Sequence, residues 1–176
     1  TYVCNVGHNG CVDVFTVTLT EPLMQTNEVI QHPLCYNDAN GSIDLTTTGG
    51  CTPLSYQWSH GPTSADVNNL TAGPYSVDIT DVNGVVRAFQ FQLTEPTQLI
   101  SSVTATTNYN GYNISCFDSS DGAINLFVNG SVPPYLYSWN TGEITEDLLD
   151  VPFGNYSVNI IDNHGCTSQQ SIALTE

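Results

Sequence analysis

Hydrophobic residues in this chain alternate with polar ones in short runs. Val158 and Ile160 are interleaved with Ser157 and Asn159, and Phe89, Phe91 and Leu93 with Gln90, Gln92 and Thr94. Ile124, Leu126 and Val128 alternate in the same way around Asn125. A period of two puts alternate side chains on opposite faces of a pleated strand, so the pattern predicts half-buried β-strands. Turn signals separate the runs at Asn40-Gly41, Gly49-Gly50, Asn83-Gly84, Asp121-Gly122 and Pro133-Pro134. Helical spacing is confined to Val67/Leu70 and Leu148/Val151, enough for one short turn at most. The expected fold is all-β: small, Ig-like antiparallel β-sandwiches in tandem.

The tandem arrangement follows from internal repetition. Cys35 matches Cys116, Gly41 matches Gly122, Trp58 matches Trp139, Tyr75 matches Tyr156 and Glu95 matches Glu176, each pair 81 positions apart (35 to 116, 95 to 176). Leu-Thr-Glu closes three units, at Leu19–Glu21, Leu93–Glu95 and Leu174–Glu176, and Pro22 and Pro96 follow the first two. The chain therefore divides into residues 1–21, the last hairpin of a preceding repeat, and complete repeats at 22–95 and 96–176. Proline stiffens each junction, so the units are expected to behave as beads on a rod.

Composition narrows the function. Seventeen Asp and Glu face a single basic residue, Arg87, for a formal net charge of −16. Nucleic acid needs clustered Lys and Arg and is excluded as a partner. Anionic membrane surfaces would repel the chain. No apolar run approaches the ~20 residues of a membrane helix, so membrane insertion is not expected. The absence of lysine rules out a P-loop lysine, a Schiff base and a Lys–Asn isopeptide bond. No signal peptide is visible, and since the chain opens in mid-pattern such an element is expected in a longer parent protein. Six cysteines without a zinc-like spacing point to disulfides and an oxidising compartment.

Read in order, the third unit runs Cys116-Phe117, Gly122, Pro134, Tyr137-Ser138-Trp139, then Gly154-Asn155-Tyr156-Ser157-Val158 through Asp162 to Cys166. This string resembles the SprB repeat of gliding and surface adhesins in the Bacteroidetes, over essentially the whole chain. The second unit departs from it: Val85 stands at the closing-cysteine position, and Cys51 stands where the third unit has Val132. The resemblance implies a large secreted cell-surface adhesin exported by the type IX system. It also implies pairing of Cys116 with Cys166, the two recurrent positions. Six cysteines allow 15 connectivities. Each unit holds an even number, so closure within units is the simplest scheme: Cys4–Cys11, Cys35–Cys51 and Cys116–Cys166. The second of these requires the chain to fold back after Gly49-Gly50, because a fully extended run from Gly41 to Cys51 spans roughly 33 Å.

Two kinds of site are worth weighing. The acidic turns around Asp38, Asn40 and Asp44, and around Asp118 and Asp121, are candidate calcium ligands, since calcium favours oxygens converging from a tight loop. The plainer reading is that Asp and Asn populate turns for local hydrogen bonding. No other cofactor is expected. The four histidines, His8, His32, His60 and His164, sit in predicted loops beside no recurring nucleophile. Position 141, matched to His60, is Thr, and position 83, matched to His164, is Asn. No catalytic constellation survives the repetition, so the chain is not read as an enzyme. Trp58, Trp139, Tyr75 and Tyr156 are expected to be core residues. The function expected is a non-catalytic stalk or multivalent adhesive surface in gliding or attachment, located outside the cell. Its partners would be neighbouring repeats, surface polysaccharide or further copies of itself. The alternative is a carbohydrate-binding module stacking sugar on a Tyr135/Tyr137/Trp139 ladder.

Overall fold

In a computed structural model of the chain, residues 23–176 are described in full and residues 2–8 and 11–17 as backbone alone. The alternating runs form strands. The first hairpin joins β1 (Tyr2–His8) to β2 (Cys11–Val17), with His8 opposite Cys11. Next come β3 (Gln25–Gln31), β4 (Gly41–Thr48), β5 (Ser55–Trp58), β6 (Val67–Leu70), β7 (Gly73–Thr80) and β8 (Val86–Leu93). The second set is β9 (Ile100–Ala105), β10 (Gly122–Asn129), β11 (Leu136–Trp139), β12 (Leu148–Val151), β13 (Gly154–Ile161) and β14 (Thr167–Leu174). Among the described residues there are no helices.

The 81-residue period holds in the backbone. β4 to β8 map onto β10 to β14 residue for residue (41 to 122, 93 to 174). The sheet orders match as well: β3-β4-β6 and β5-β7-β8 in one repeat, β9-β10-β12 and β11-β13-β14 in the next. Residues with positive φ recur at the same spacing, as in Asn37 and Asp118 (both 61°), Gly84 and Gly165 (82° and 85°), and Gly50 and Ser131 (71° and 51°). Both repeats are thus small antiparallel β-sandwiches of Ig-like style.

By its internal contacts the chain separates into two compact units: Thr1–Ile30, Ile43–Val67 and Pro74–Phe91 in the first, and Gln31–Ser42, Asn68–Gly73 and Gln92–Glu176 in the second. The first buries Met24, Ile43, Leu45, Trp58, Val67, Val77, Ile79 and Phe91. In the second, Ile124 and Leu126 of one sheet meet Trp139, Tyr156, Val158, Ile160 and Leu174 of the other. The period of two places Tyr156, Val158 and Ile160 on one face of β13. Beyond β10 and β13, the two sheets are stitched at an edge, where Gln170 Nε2 donates to the Ser101 carbonyl at 2.8 Å and the Ser101 and Ser168 hydroxyls lie 2.7 Å apart.

Two local expectations change. Val67/Leu70 and Leu148/Val151 do not form a helical turn but the strands β6 and β12, with both apolar residues inward. Asp150 adopts a left-handed conformation (φ 54°), and three residues of β12 span the distance of two on β10, from the Gly122–Val151 pair to the Ile124–Leu148 pair. This bulge brings positions i and i+3 to the same face. Next, Gly41 and Gly122 are not turn residues: each is buried and opens a strand. Glycine is needed at 122 for close approach, since a Cβ there would lie 2.6 Å from Ile114 Cδ1 and 2.8 Å from the Val151 carbonyl oxygen. The tryptophans stand on β5 and β11, the edge strands of their sheets.

Two stability predictions follow from this packing. Gly122→Ala should cost about 1–3 kcal/mol, because the carbonyl of Val151 cannot yield as a side chain would. Trp139→Ala should cost about 3–5 kcal/mol by emptying the centre of its core. Urea denaturation checks both; unchanged midpoints would mean that these positions are not packed as described.

Candidate functional site

The closing turns of the β7–β8 and β13–β14 hairpins are each organised by one carboxylate. Asp162 is 4% exposed. Its Oδ1 accepts the amides of His164 (2.9 Å) and Cys166 (2.7 Å), and its Oδ2 accepts the Val132 amide (3.1 Å) and the Ser131 hydroxyl. Asp81 repeats the scheme with the amides of Asn83, Val85 and Cys51. Burial raises the pKa of Asp162, but the Ser131 hydroxyl and the three amides outweigh it and hold the group below the usual carboxylate range. Asp81 is lowered first by the Val85 amide, with burial opposing. In the sequence these two carboxylates are only members of Asp-x-x-Gly runs. What marks them as structural is the occupation of both oxygens, which no spacing reveals.

Cys166 leaves this turn and bonds to Cys35, with Cα atoms 5.6 Å apart. Both cysteines belong to the second unit, which takes in the loop 31–42 of the preceding repeat. The loop is shaped by its own contacts. Leu34 N–H donates to Asn40 Oδ1 (3.1 Å), Asp38 N–H to the Cys35 carbonyl (3.1 Å) and Asn37 N–H to Glu95 Oε2 (2.7 Å). His164 Nδ1 lies 3.2 Å from the Leu34 carbonyl. Beside the disulfide is an open cleft of about 510 Å³, bordered by Tyr36, Asp38, Gln98, Ser131 and Thr167.

Closure within units is therefore corrected. Neither Cys35–Cys51 nor Cys116–Cys166 forms; the bridge is Cys35–Cys166, and Cys116 is an exposed free thiol. The reason is strand length. Cys116 precedes β10, whereas the Cys166 amide shares the Asp162 carboxylate with the amide of Val132, beyond the far end of β10. An eight-residue strand spans roughly 26 Å, far beyond disulfide reach. Cys35 and Cys51 flank β4 in the same way, and Cys51 takes no part in the bridge. The side chains of Cys4 and Cys11 lie outside what the structure describes, so that pairing is not tested. Linking positions 131 residues apart, the Cys35–Cys166 bond restricts the unfolded chain by about 4–5 kcal/mol on the chain-entropy account.

The acidic turn residues are not gathered together. Asn40 Nδ2 donates to Asp38 Oδ2 at 3.2 Å. Asp121 Oδ1 accepts the Ser115 amide at 3.2 Å, and hydrogen bonds from Ser115 and Tyr109 lower its pKa against the effect of burial. Asp118 takes the left-handed conformation of the turn that follows Cys116. Asp44 lies against Asp66, whose charge raises its pKa. Among the described residues no three His, Cys, Asp or Glu side chains converge as a metal site.

The aromatic residues divide by burial. Trp58 and Trp139 are 1% and 3% exposed, with Nε1 donating at 2.9 Å to the carbonyls of Ser64 and Thr145. Tyr156 is buried, and its hydroxyl donates to the Pro152 carbonyl at 2.7 Å, in the manner of a tyrosine corner. Tyr75 is half-buried, edge-on to His60. Tyr135 and Tyr137 pack against the core, and the Tyr135 hydroxyl donates to the Gly130 carbonyl. Tyr135, Tyr137 and Trp139 therefore do not present an open stacking ladder, because their inward strand face is the one that closes the sandwich.

The SprB repeat family model matches residues 27–63 and 108–143, two segments in the same 81-residue register (27 to 108). Among solved structures, the chain is similar to the three N-terminal domains of the bacteriophage RB49 Highly Immunogenic Outer Capsid protein, at 20% identity and a TM-score of 0.47. That alignment covers 86% of this chain and 59% of the phage structure. No curated protein matches the chain.

The turn carboxylates predict a defined acid sensitivity. A lowered folded pKa stabilises the protein above the ordinary value of 3.8, and that contribution is lost as pH falls through the folded value. The melting temperature should therefore drop in this acid window. Asp162→Asn should cost about 1–3 kcal/mol at neutral pH by turning an amide donor against donors, and should flatten part of the acid decline. Thermal melts of both proteins from pH 7 to pH 2 check this; parallel curves would rule out the assigned role.

Proposed function

We propose, on the two segments in tandem that the SprB repeat model matches, that the chain is a non-catalytic segment of a large secreted cell-surface adhesin or filament. The observation that carries this reading is what the two repeats keep in common. Matched positions hold the packing and turn-forming residues: Trp58 and Trp139, Asp81 and Asp162, Gly41 and Gly122. The histidines are not held in common: His60 is matched by Thr141, and His164 by Asn83. A repeat used as a spacer needs its fold copied, and a repeated catalytic site would need its reactive groups copied too.

The charge of −16 fits an extracellular role, since like charge keeps an exposed array soluble and apart from its neighbours. On this reading the array holds a distant tip away from the cell or presents many weak contacts in gliding or attachment. Its partners are adjoining repeats, surface polysaccharide or further copies, and its strength of attachment comes from multivalency. Export by a type IX route is part of the same proposal.

A glycan array probed with the isolated chain and with beads coated in it separates the readings. Soluble chain should give no saturable binding up to about 0.1 mM, while densely coated beads are retained by a surface polysaccharide. Saturable binding of the soluble chain to one glycan, lost on substitution of an exposed aromatic such as Tyr112 or Phe117, would overturn the proposal in favour of a carbohydrate-binding module.

A further inference from the structure

The Cys35 loop and its copy around Cys116 have the same backbone and different fates. In the first, the Asp38 amide closes a turn on the Cys35 carbonyl at 3.1 Å and Asn37 is left-handed (φ 61°). In the second, the Ser119 amide closes on the Cys116 carbonyl at 3.0 Å and Asp118 has the same φ of 61°. The turn that presents Cys35 to a partner is thus preformed around Cys116. Yet Cys35 is bonded to the closing turn of the next repeat, while the Cys116 thiol is exposed and free, followed by Phe117 at 77% exposure.

A second difference lies in the Leu-Thr-Glu phrase. Glu95 Oε2 accepts the Asn37 amide, which ties the closing residue of that repeat to its docked loop. Its match, Glu176, keeps Oε2 buried without a hydrogen bond. The carboxylate is satisfied where a closing turn is engaged and is not at the copy.

We propose that Cys116 is the attachment point for the closing turn of a further repeat of this type. It bonds to that turn's cysteine as Cys35 bonds to Cys166, so that a ladder of disulfides runs from each repeat to the next. The partner surface is the Asp-x-x-Gly-Cys turn, held rigid by its buried carboxylate as Asp162 holds Cys166. In forming the bond, two thiols lose two protons and two electrons to a disulfide oxidant, which is reduced to two thiols. The contact is head-to-tail and does not close on itself, so it propagates along an array. The ladder breaks wherever the closing position lacks sulfur, as at Val85. This inference stands on the repeat geometry, whether or not the array is adhesive.

The test is the full chain extended after Glu176 by a second copy of residues 96–176, oxidised with glutathione disulfide and peptide-mapped without reduction. Cys116 of the original chain should be linked to Cys166 of the appended copy, with Cys35–Cys166 retained. A second form carries Cys166→Val in the appended copy, the residue found at position 85; it should stay folded by circular dichroism and return Cys116 to full alkylation. The proposal is overturned if Cys116 alkylates equally in both forms, or if it links to Cys51 or to Cys116 of another molecule.

Discussion

Asp162 receives hydrogen bonds from two separate segments: the amides of His164 and Cys166 in its own turn, and the Ser131 hydroxyl and Val132 amide from the end of β10. A carboxylate with both oxygens occupied in this way ties one sheet of the sandwich to the other at its end. Because its partners are mostly backbone amides, the arrangement tolerates changes of the flanking side chains. Asp81 does the same with Asn83, Val85 and Cys51 in place of His164, Cys166 and Val132. The position of the disulfide depends on this constraint, since the amide that Asp162 holds is that of Cys166 itself.

The two repeats share the problem of a small core. Each buries one tryptophan and a few aliphatic side chains between three-stranded sheets, which leaves little surplus over the conformational entropy of folding. A covalent link over a long stretch of chain adds to that surplus by constraining the unfolded state. Joining the head loop of one repeat to the closing turn of the next also gives the link an architectural effect that closure within a repeat would lack: it fastens successive segments of chain to each other.

High negative charge has local costs, and the repeats show how one is relieved. Asp44 lies against Asp66, and the repulsion raises its pKa. At the matched place Asn125 replaces the aspartate and points Nδ2 at Asp147 Oδ1, 3.5 Å away. The inner carboxylate has the same task in both repeats, accepting the amide of Leu45 or Leu126. One repeat therefore carries a like-charge pair that the other has exchanged for a neutral neighbour, with the backbone unchanged.

Period-two alternation, the 81-residue register and the recurring tryptophan were enough to predict an all-β chain of small sandwiches. These signals reflect burial on one face of a strand, which depends on local order along the chain. Other features came only from three dimensions. Glycine at 41 and 122 has the sequence signature of a turn, but what requires it is the approach of the Val151 carbonyl and the Ile114 and Leu174 side chains to position 122. The i, i+3 spacing in β6 and β12 imitates a helix because a left-handed residue inserts a bulge, and nothing in a pair of apolar residues distinguishes the two. The cysteine pairing was decided by distance: the first and last cysteines of one repeat stand at opposite ends of a strand, while the last cysteine of one repeat meets the first of its predecessor. Counting cysteines by unit cannot supply that, since connectivity belongs to the packed chain and not to its order.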